Sequence, residues 1–198
     1  MHVNVRHVNV RLDKRVRRNL RARKVYRIVY RAFCYGCDRF GFRIVHYSVQ
    51  GDHIHLICEA SNRRALSRGM QGFNLRVAKG INRLCGRAGS VFADRYHEQI
   101  LTTPRQVRNG LRYVLLNSRR HAWQLHDVAA QERDWVDPCS SAPFFDGWKR
   151  ECRELVPRPP PPVDGRLPVA SAQSWLLTTG WKQHGALIAT WEVPKGRG

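Results

Sequence analysis

The chain has 198 residues, of which 42% are hydrophobic, and it carries a formal net charge of +20. This composition is enough to build a packed core, and the length suits one domain with a modest appendage, so a wholly disordered chain is excluded. No run of about 18 apolar residues is present, and the N-terminus lacks the apolar segment of a secretory signal. We therefore expect a cytoplasmic protein with no membrane partner.

The positive charge is concentrated in one part of the chain. Residues 1–121 hold 26 basic and 6 acidic residues, whereas residues 122–198 hold 9 of each. A concentrated excess of this kind indicates a polyanionic partner. A membrane surface is the weaker candidate, because no basic helix has the Trp-rich or Phe-rich opposite face of an interfacial anchor. Nucleic acid is the favoured partner.

The six cysteines give little indication of a metal or redox site. Cys34 and Cys37 form the one CxxC pair, and no second pair follows it. A zinc or redox role is the minor alternative. We expect ordinary reduced cysteines.

The first predicted strand covers residues 7–12, where polar and apolar residues alternate with a period of two. Residues 2–6 have the same HVNVR sequence as residues 7–11. Because the repeat is five residues long, its two copies place their valines on opposite faces of a strand. We therefore predict that only the second copy forms the strand.

Residues 16–35 are predicted to form a basic helix. Val25, Ile28, Val29 and Ala32 follow the spacing of one apolar helix face. Basic side chains crowd its start, and a solvated face is one explanation for them. The other is contact with a nucleic-acid backbone, for which the candidates are Arg17, Arg18, Arg21 and Lys24.

A β-hairpin follows, with strands at residues 42–50 and 53–60 joined across Gly51-Asp52. Ser61 or Asn62 can cap the next helix. Its apolar residues recur every three or four positions, at Leu66, Met70, Phe73, Val77, Ile81 and Leu84.

A fourth strand is predicted at residues 90–101. Thr103 then caps a last helix, with Pro104 at its first position, which we expect to run to about residue 121. The order βαββαβ predicts an α+β, ferredoxin-like antiparallel sheet of four strands with helices on one face. The additional C-terminal helix contains Tyr113.

The domain organisation follows the change in composition. Residues 1–121 are predicted to form the main domain, and residues 122–168 an irregular segment that includes the Pro-rich linker at 157–162. Residues 169–198 form a Trp-bearing tail. This tail is too short to bury a core alone, so we expect it to pack on the main domain.

His53 and His55 are the strongest candidates for a metal site. On a strand, residues i and i+2 project from the same face, about 7 Å apart at their Cα atoms. Two imidazoles so placed can bind one divalent ion. Mg²⁺ or Mn²⁺ is expected, since two imidazoles with oxygen donors and no thiolate do not demand zinc. The alternative is a pair of surface histidines on an exposed strand face.

Tyr113 is the second candidate site residue. On the last helix it lies about 140° from the centre of the apolar stripe of Val107, Leu111, Val114 and Leu115, so the stripe does not need it. Asn117, at i+4, shares its face and can supply an oxygen to the same metal. A tyrosine that packs elsewhere or is exposed to solvent remains the alternative.

These residues resemble a known family. The hairpin SVQGDHIHLICEA resembles the His-hydrophobic-His hairpin of HUH endonucleases, and VFADRYHEQIL with TPRQVRNGLRYVLLNSRRH resembles the remaining strand and helix of single-tyrosine transposases, most closely the REP-associated tyrosine transposases. The resemblance covers residues 7–121. It implies metal-dependent cleavage of single-stranded or hairpin DNA through a covalent 5′-phosphotyrosine. By that similarity, His53 and His55 are metal ligands, Tyr113 is the nucleophile and Asn117 is a further ligand.

Two other functions stay open. One is a non-catalytic, single-stranded nucleic-acid-binding module, since the RNA-recognition fold has the same element order, although no segment matches its aromatic-rich strand motif. The other is a domesticated nuclease that acts on host repeats. A DNA substrate implies a nucleoid-associated location. The sequence leaves the target sequence open, and also whether the protein is a monomer or a homodimer.

Overall fold

The computed structural model describes residues 3–119 and 135–194. The chain forms a mixed α and β structure, with short 3₁₀ turns after the first strand and in the C-terminal segment. The strands are β1 (Asn4–Arg11), β2 (Asp38–Arg39), β3 (Phe42–Val49), β4 (His53–Ala60) and β5 (His97–Leu101). The helices are α1 (Arg23–Cys34), α2 (Arg63–Cys85), α3 (Pro104–Leu115) and α4 (Trp175–Thr178).

The strands form one five-stranded sheet in the order β2-β3-β4-β1-β5. Every neighbouring pair is antiparallel, and β1 lies between β4 and β5. The fold is therefore α+β and ferredoxin-like, as the element order predicts, with β2 as a short additional edge strand. None of the described helices is long and apolar enough to cross a membrane.

The sheet is covered on both faces. Because side chains alternate along a strand, each strand contributes to two separate cores. Val8 and Leu56 pack in the core that contains α1 and α2. Val5 and Ile57 pack in the core that contains α3 and the C-terminal segment, residues 135–194.

The start of β1 differs from the prediction. The predicted strand covers residues 7–12, but β1 begins at Asn4 and includes the whole second HVNVR copy together with the last three residues of the first. Val5 is buried in the α3 core, whereas Val8 and Val10 are buried in the α1–α2 core. The valines on both faces of β1 are buried because helices or the C-terminal segment cover each face of the sheet.

The first helix is also shorter than predicted. We expected residues 16–35, but α1 begins at Arg23. Arg17 adopts a left-handed backbone conformation (φ 43°), and the buried Leu20 donates its N–H to the Gly51 carbonyl at 2.8 Å. Residues 17–22 therefore form a loop that packs on the β3–β4 turn.

The fourth predicted strand, residues 90–101, is largely irregular. Only His97–Leu101 pairs with β1, as β5. Phe92 makes an isolated bridge to Leu12, and the chain bends at residues 93–95 before it joins the sheet.

The start of α3 agrees with the sequence, but its end does not. Thr103 caps the helix and accepts the Gln106 N–H at 3.2 Å, and the Gln106 side chain completes a capping box behind Pro104. The helix ends at Leu115, since Leu116 leaves the helical conformation (φ −117°, ψ 15°). A new helical turn begins at Asn117. The predicted continuation to residue 121 extends beyond the described residues.

The C-terminal segment packs on the α3 side of the sheet. Trp148 and Trp181 are buried in the α3 core, whereas Trp175 is about half exposed. The buried Glu59 carboxylate on β4 accepts the backbone N–H groups of Gln173 and Ser174, which fixes the segment to the sheet. The packing expected of the tail is thus observed for its described part.

Asp137 should be a major determinant of stability. Its fully buried carboxylate accepts two hydrogen bonds from Arg21, at 2.8 and 2.9 Å. Removing one partner of a buried ion pair leaves the other charge uncompensated, and solvent reduces that cost here because 29% of the Arg21 side chain is exposed. We expect Asp137→Asn to lower the free energy of unfolding by about 2–4 kcal/mol, measured by urea denaturation. Asp164→Asn is the control, because its ion pair with Arg31 is exposed and should contribute less than about 1 kcal/mol. Equal effects of the two changes would contradict this expectation.

Candidate active site

The candidate site lies on the α3 face of the sheet, where three strands present polar side chains. Antiparallel pairing aligns Asn9 of β1 with His55 of β4 on one side and His97 of β5 on the other. His7 lies one step further along the same face of β1, opposite Gln99 of β5. The sheet register therefore gathers polar residues from distant parts of the sequence beneath α3.

The two predicted metal-binding histidines lie side by side. The Nε2 atoms of His53 and His55 are 3.0 Å apart. Neighbouring positions of an octahedron with metal–ligand distances of about 2.1 Å are also separated by about 3.0 Å. This spacing fits a hexacoordinate divalent ion with both imidazoles as ligands.

Asp52 orients the first of these imidazoles. The Nδ1 of His53 lies 2.7 Å from a carboxylate oxygen of Asp52. Partial burial disfavours the charged carboxylate, but the hydrogen bond with His53 and the charges of His53 and Arg11 outweigh it and lower the pKa of Asp52. An ionised carboxylate at Nδ1 leaves the Nε2 lone pair available to a metal.

His7 lies beside the Nδ1 of His55, as Asp52 lies beside the Nδ1 of His53. The sequence analysis did not identify His7 as a site residue. Its Nε2 lies 3.3 Å from the Nδ1 of His55, and its side chain is buried. When His55 donates this hydrogen bond, its Nε2 keeps a lone pair beside the Nε2 of His53, which is what metal binding by the two imidazoles requires. The sequence contains one indication of this role, since His7 and Asn9 alternate with buried valines along β1. Their side chains therefore lie on the same face as His55 when β1 pairs with β4.

Two side-chain amides are the candidate oxygen donors, and the sheet register places that of Asn9 beside His55. The side-chain oxygen of Asn9 is buried with no hydrogen-bond partner among the described residues. Asn117 is buried as well, and within the described chain neither of its amide atoms has a partner. No group of three His, Cys, Asp or Glu residues in the described parts of the chain forms a complete metal site. The donor set is thus two imidazoles to be completed by oxygen ligands, which suits Mg²⁺ or Mn²⁺.

Tyr113 packs directly against the histidines. Its half-buried ring makes edge contacts with His55 and His7, with ring centroids 4.9 and 5.5 Å away. Gly110 allows α3 to approach the sheet this closely, because a Cβ at that position would lie 2.9 Å from Leu101. The structure therefore brings Tyr113 and the histidine pair into one site. The structure does not bring Asn117 into this site. Helix α3 ends at Leu115, and Asn117 does not line the cavity between the helix and the sheet.

That cavity has a volume of about 340 Å³. Its lining comes from β1, β4, β5 and α3, namely His7, Asn9, His55, His97, Glu98, Gln99 and Tyr113. A second cavity of about 460 Å³ shares His7, Gln99 and Tyr113 with the first and extends along α3 past Arg105 and Asn109. The site is thus an open groove with space for an extended polar chain.

The C-terminal segment holds α3 in place. Glu192 forms ion pairs with Arg108 and Arg112, which lie on the same helix as Tyr113. Arg112 also donates to the Val193 carbonyl at 3.2 Å. The tyrosine is therefore positioned by contacts from the sheet and from the C-terminal segment.

The basic segment predicted to contact nucleic acid, residues 17–24, packs on the β3–β4 turn that precedes His53, since Leu20 donates its N–H to the Gly51 carbonyl. Arg17, Arg18 and Lys24 are exposed. Arg21 is different, since its guanidinium is bound by Asp137 and the Val49 carbonyl. Among these four side chains, Arg17, Arg18 and Lys24 present their charge to solvent.

The chain belongs to the IS200-like transposase family, whose pattern matches residues 5–114, more than half of the sequence. Its fold is similar to that of a REP-associated tyrosine transposase bound to a REP hairpin, with a TM-score of 0.52 and 21% identity over 70% of this chain and 76% of that one. A candidate transposase from Deinococcus radiodurans gives a TM-score of 0.42 and 11% identity over 64% of this chain and 91% of that one. None of the curated proteins matches the chain. The family resemblance inferred from the sequence is confirmed.

Proposed function

We propose that this protein is a metal-dependent single-stranded DNA endonuclease and strand transferase that forms a covalent 5′-phosphotyrosine. The observation that supports this most directly is the contact of the Tyr113 ring with His55, whose Nε2 lies 3.0 Å from that of His53. The proposed nucleophile lines one groove with His55, and His53 adjoins His55 on the same strand face. A binding module has no need of this arrangement.

The proposed reaction is a transesterification. The Tyr113 oxygen attacks the phosphorus of a DNA phosphodiester, the bond from phosphorus to the 3′ oxygen breaks, and the DNA 5′ phosphate becomes attached to the tyrosine. The phenol proton is balanced by the proton that the released 3′-OH gains. Because one phosphodiester replaces another, a DNA 3′-OH can reverse the reaction, which suits strand transfer.

The chain's own residues prepare Tyr113 for this role. A phenol has a pKa near 10 in water and is a weak nucleophile at neutral pH. The ring contacts with His7 and His55 fix the tyrosine above the histidine pair, and Gly110 and Glu192 fix its helix. Such positioning lowers the entropic cost of bringing the nucleophile to the phosphate.

His53 and His55 would hold the metal, and Asn117 remains the proposed further ligand. Bound there, Mg²⁺ or Mn²⁺ would withdraw charge from the scissile phosphate and orient it. Asn9 adds a buried oxygen without a partner among the described residues, close to the same pair.

Hairpin or repeat DNA is the proposed substrate. The protein of similar fold is described as bound to a REP hairpin. In the present chain, the excess of basic residues in residues 1–121, which includes the exposed Arg17, Arg18 and Lys24, supplies charge for a DNA backbone. A nucleoid-associated location follows from such a substrate.

The test is formation of the covalent product. Purified full-length protein is incubated with Mg²⁺ or Mn²⁺ and a hairpin oligonucleotide with single-stranded flanks, labelled in turn at either end. On a denaturing gel, DNA should stay attached to the protein through its 5′ end. Cleavage without attachment would indicate hydrolysis by water, and binding without cleavage would indicate a non-catalytic module. Either result would refute the proposal.

DNA binding should weaken strongly with salt. If about four phosphates of a single strand are contacted, log Kd changes with log salt with a slope of about 3. A rise from 50 to 200 mM NaCl should then weaken binding about 60-fold, measured by fluorescence anisotropy. An affinity unchanged across this range would show that the basic excess does not contact the DNA.

A further inference from the structure

A second basic surface lies between α1 and α2, on the sheet face opposite Tyr113. It is a groove with a cavity of about 730 Å³. The helices approach closely beneath it, because a Cβ at Gly80 would lie 2.3 Å from a methyl group of Ile28. The polar side chains that line this α1–α2 groove are Arg31, Tyr35, Arg39, Arg76 and Arg83.

The groove carries more positive charge than the protein neutralises. Among the groove arginines, Arg31 forms an ion pair with Asp164 at 3.9 Å in the described parts of the chain, and both side chains are well exposed. Arg76 donates to the Gly72 carbonyl at 2.9 Å. Burial and the nearby charge of Arg39 lower the pKa of Arg76, so an anion bound there would relieve repulsion between the two guanidinium groups.

One end of the groove leads towards the candidate active site. Arg18 contacts the Cys85 sulfur at 3.2 Å, at the end of α2. Two residues later, Leu20 is hydrogen-bonded to Gly51 in the β3–β4 turn, just before His53. The basic loop therefore connects the groove with the end of the sheet where the histidine pair lies.

The other end of the groove carries an exposed aromatic ring. Phe40 directly follows Arg39, and 87% of its surface is exposed. Its backbone is left-handed (φ 50°), which is uncommon for a bulky residue. The adjoining strand β4 places this end roughly 23 Å from His53. A flat apolar ring held in solvent beside arginines is suited to stacking on a nucleic-acid base.

We propose that the α1–α2 groove binds the phosphate backbone of a DNA segment that flanks the strand entering the Tyr113 site, and that Phe40 stacks on a base of that segment. The inference rests on the proposed DNA substrate and adds a binding surface on the opposite face of the sheet. Guanidinium groups bind phosphates through paired, charge-assisted hydrogen bonds. Arg76 and Arg83 lie two helical turns apart, about 10 Å along α2, so they can contact separate phosphates.

The experiment compares two double variants of the full-length protein that remove the same charge from the same helix. Arg76→Gln/Arg83→Gln alters the groove, whereas Arg64→Gln/Arg68→Gln alters exposed arginines outside it. Binding of a labelled hairpin with flanks of about 20 nucleotides is measured by anisotropy over a range of salt. We expect the groove variant to bind at least about tenfold more weakly and to lose about 1–2 from the salt slope, and the control to change less than about threefold.

Phe40 and Arg39 provide independent tests, because both side chains are exposed and their replacement should leave the fold intact. Phe40→Ala should weaken binding about fivefold or more, and Phe40→Trp should retain it. Arg39→Gln should reduce the salt slope by about 1.

Equal weakening by the groove and control variants, or no effect of Phe40→Ala and Arg39→Gln, would overturn the inference. Failure of the proposed function has a different result. In that case the unaltered protein forms no covalent product, while any difference in binding between the groove and control variants is still measured.

Discussion

Tyr113→Phe should abolish the covalent protein–DNA product while DNA binding persists. The substitution removes only the hydroxyl group, so the edge contacts of the ring with His7 and His55 can be retained. Loss of the nucleophile should lower product formation by about 10³-fold or more. The product is measured on a denaturing gel, and binding of the same oligonucleotide is measured by anisotropy.

Tyr96→Phe is the matched control. Tyr96 directly precedes β5 and packs against the α1–α2 core, on the face of the sheet opposite Tyr113. Burial raises the pKa of its phenol, which makes it a poorer nucleophile still. This variant should react like the unaltered protein. If Tyr113→Phe still forms the product, the assignment of the nucleophile is wrong, and a loss confined to Tyr96→Phe would place the reaction elsewhere.

Replacing either histidine of the pair should abolish metal-dependent cleavage. The Nε2 atoms of His53 and His55 have the spacing of two neighbouring ligands of one ion, so neither imidazole alone completes the site. We expect His53→Ala or His55→Ala to weaken Mn²⁺ binding by about 100-fold, measured by calorimetry or electron paramagnetic resonance. Cleavage should fall in parallel and be lost at Mg²⁺ concentrations that saturate the unaltered protein.

The fold must be monitored in this comparison because the two histidines differ in burial. His55 is 3% exposed, whereas the side chain of His53, at the start of β4, is 13% exposed. His53→Ala should therefore have the smaller effect on stability and is the more informative variant. His184→Ala, an exposed change in the C-terminal segment, is the control. Full cleavage by the His53→Ala/His55→Ala double variant would refute the metal assignment.

The sequence determined the elements whose signals are local. The β3–β4 hairpin, the long helix α2 and the capped start of α3 form where turn residues, apolar periodicity and the Thr103–Gln106 capping box predict them. The period of a strand likewise places His53 and His55 on one face, whichever strands β4 pairs with. These features depend on residues within one or two turns of each other in the chain, so the sequence alone contains the information.

The tertiary structure decided which side chains meet across long separations in the chain. His7 joins the site only because β1 pairs with β4, 48 residues away. Arg17 and Arg21 look alike in the sequence. In the structure Arg17 is exposed, whereas the Arg21 guanidinium is bound by Asp137, which lies 116 residues further along the chain. Val5 is buried as well as Val8 and Val10 because α3 and the C-terminal segment cover the second face of the sheet. Such contacts depend on how distant segments pack, which local periodicity and spacing do not encode.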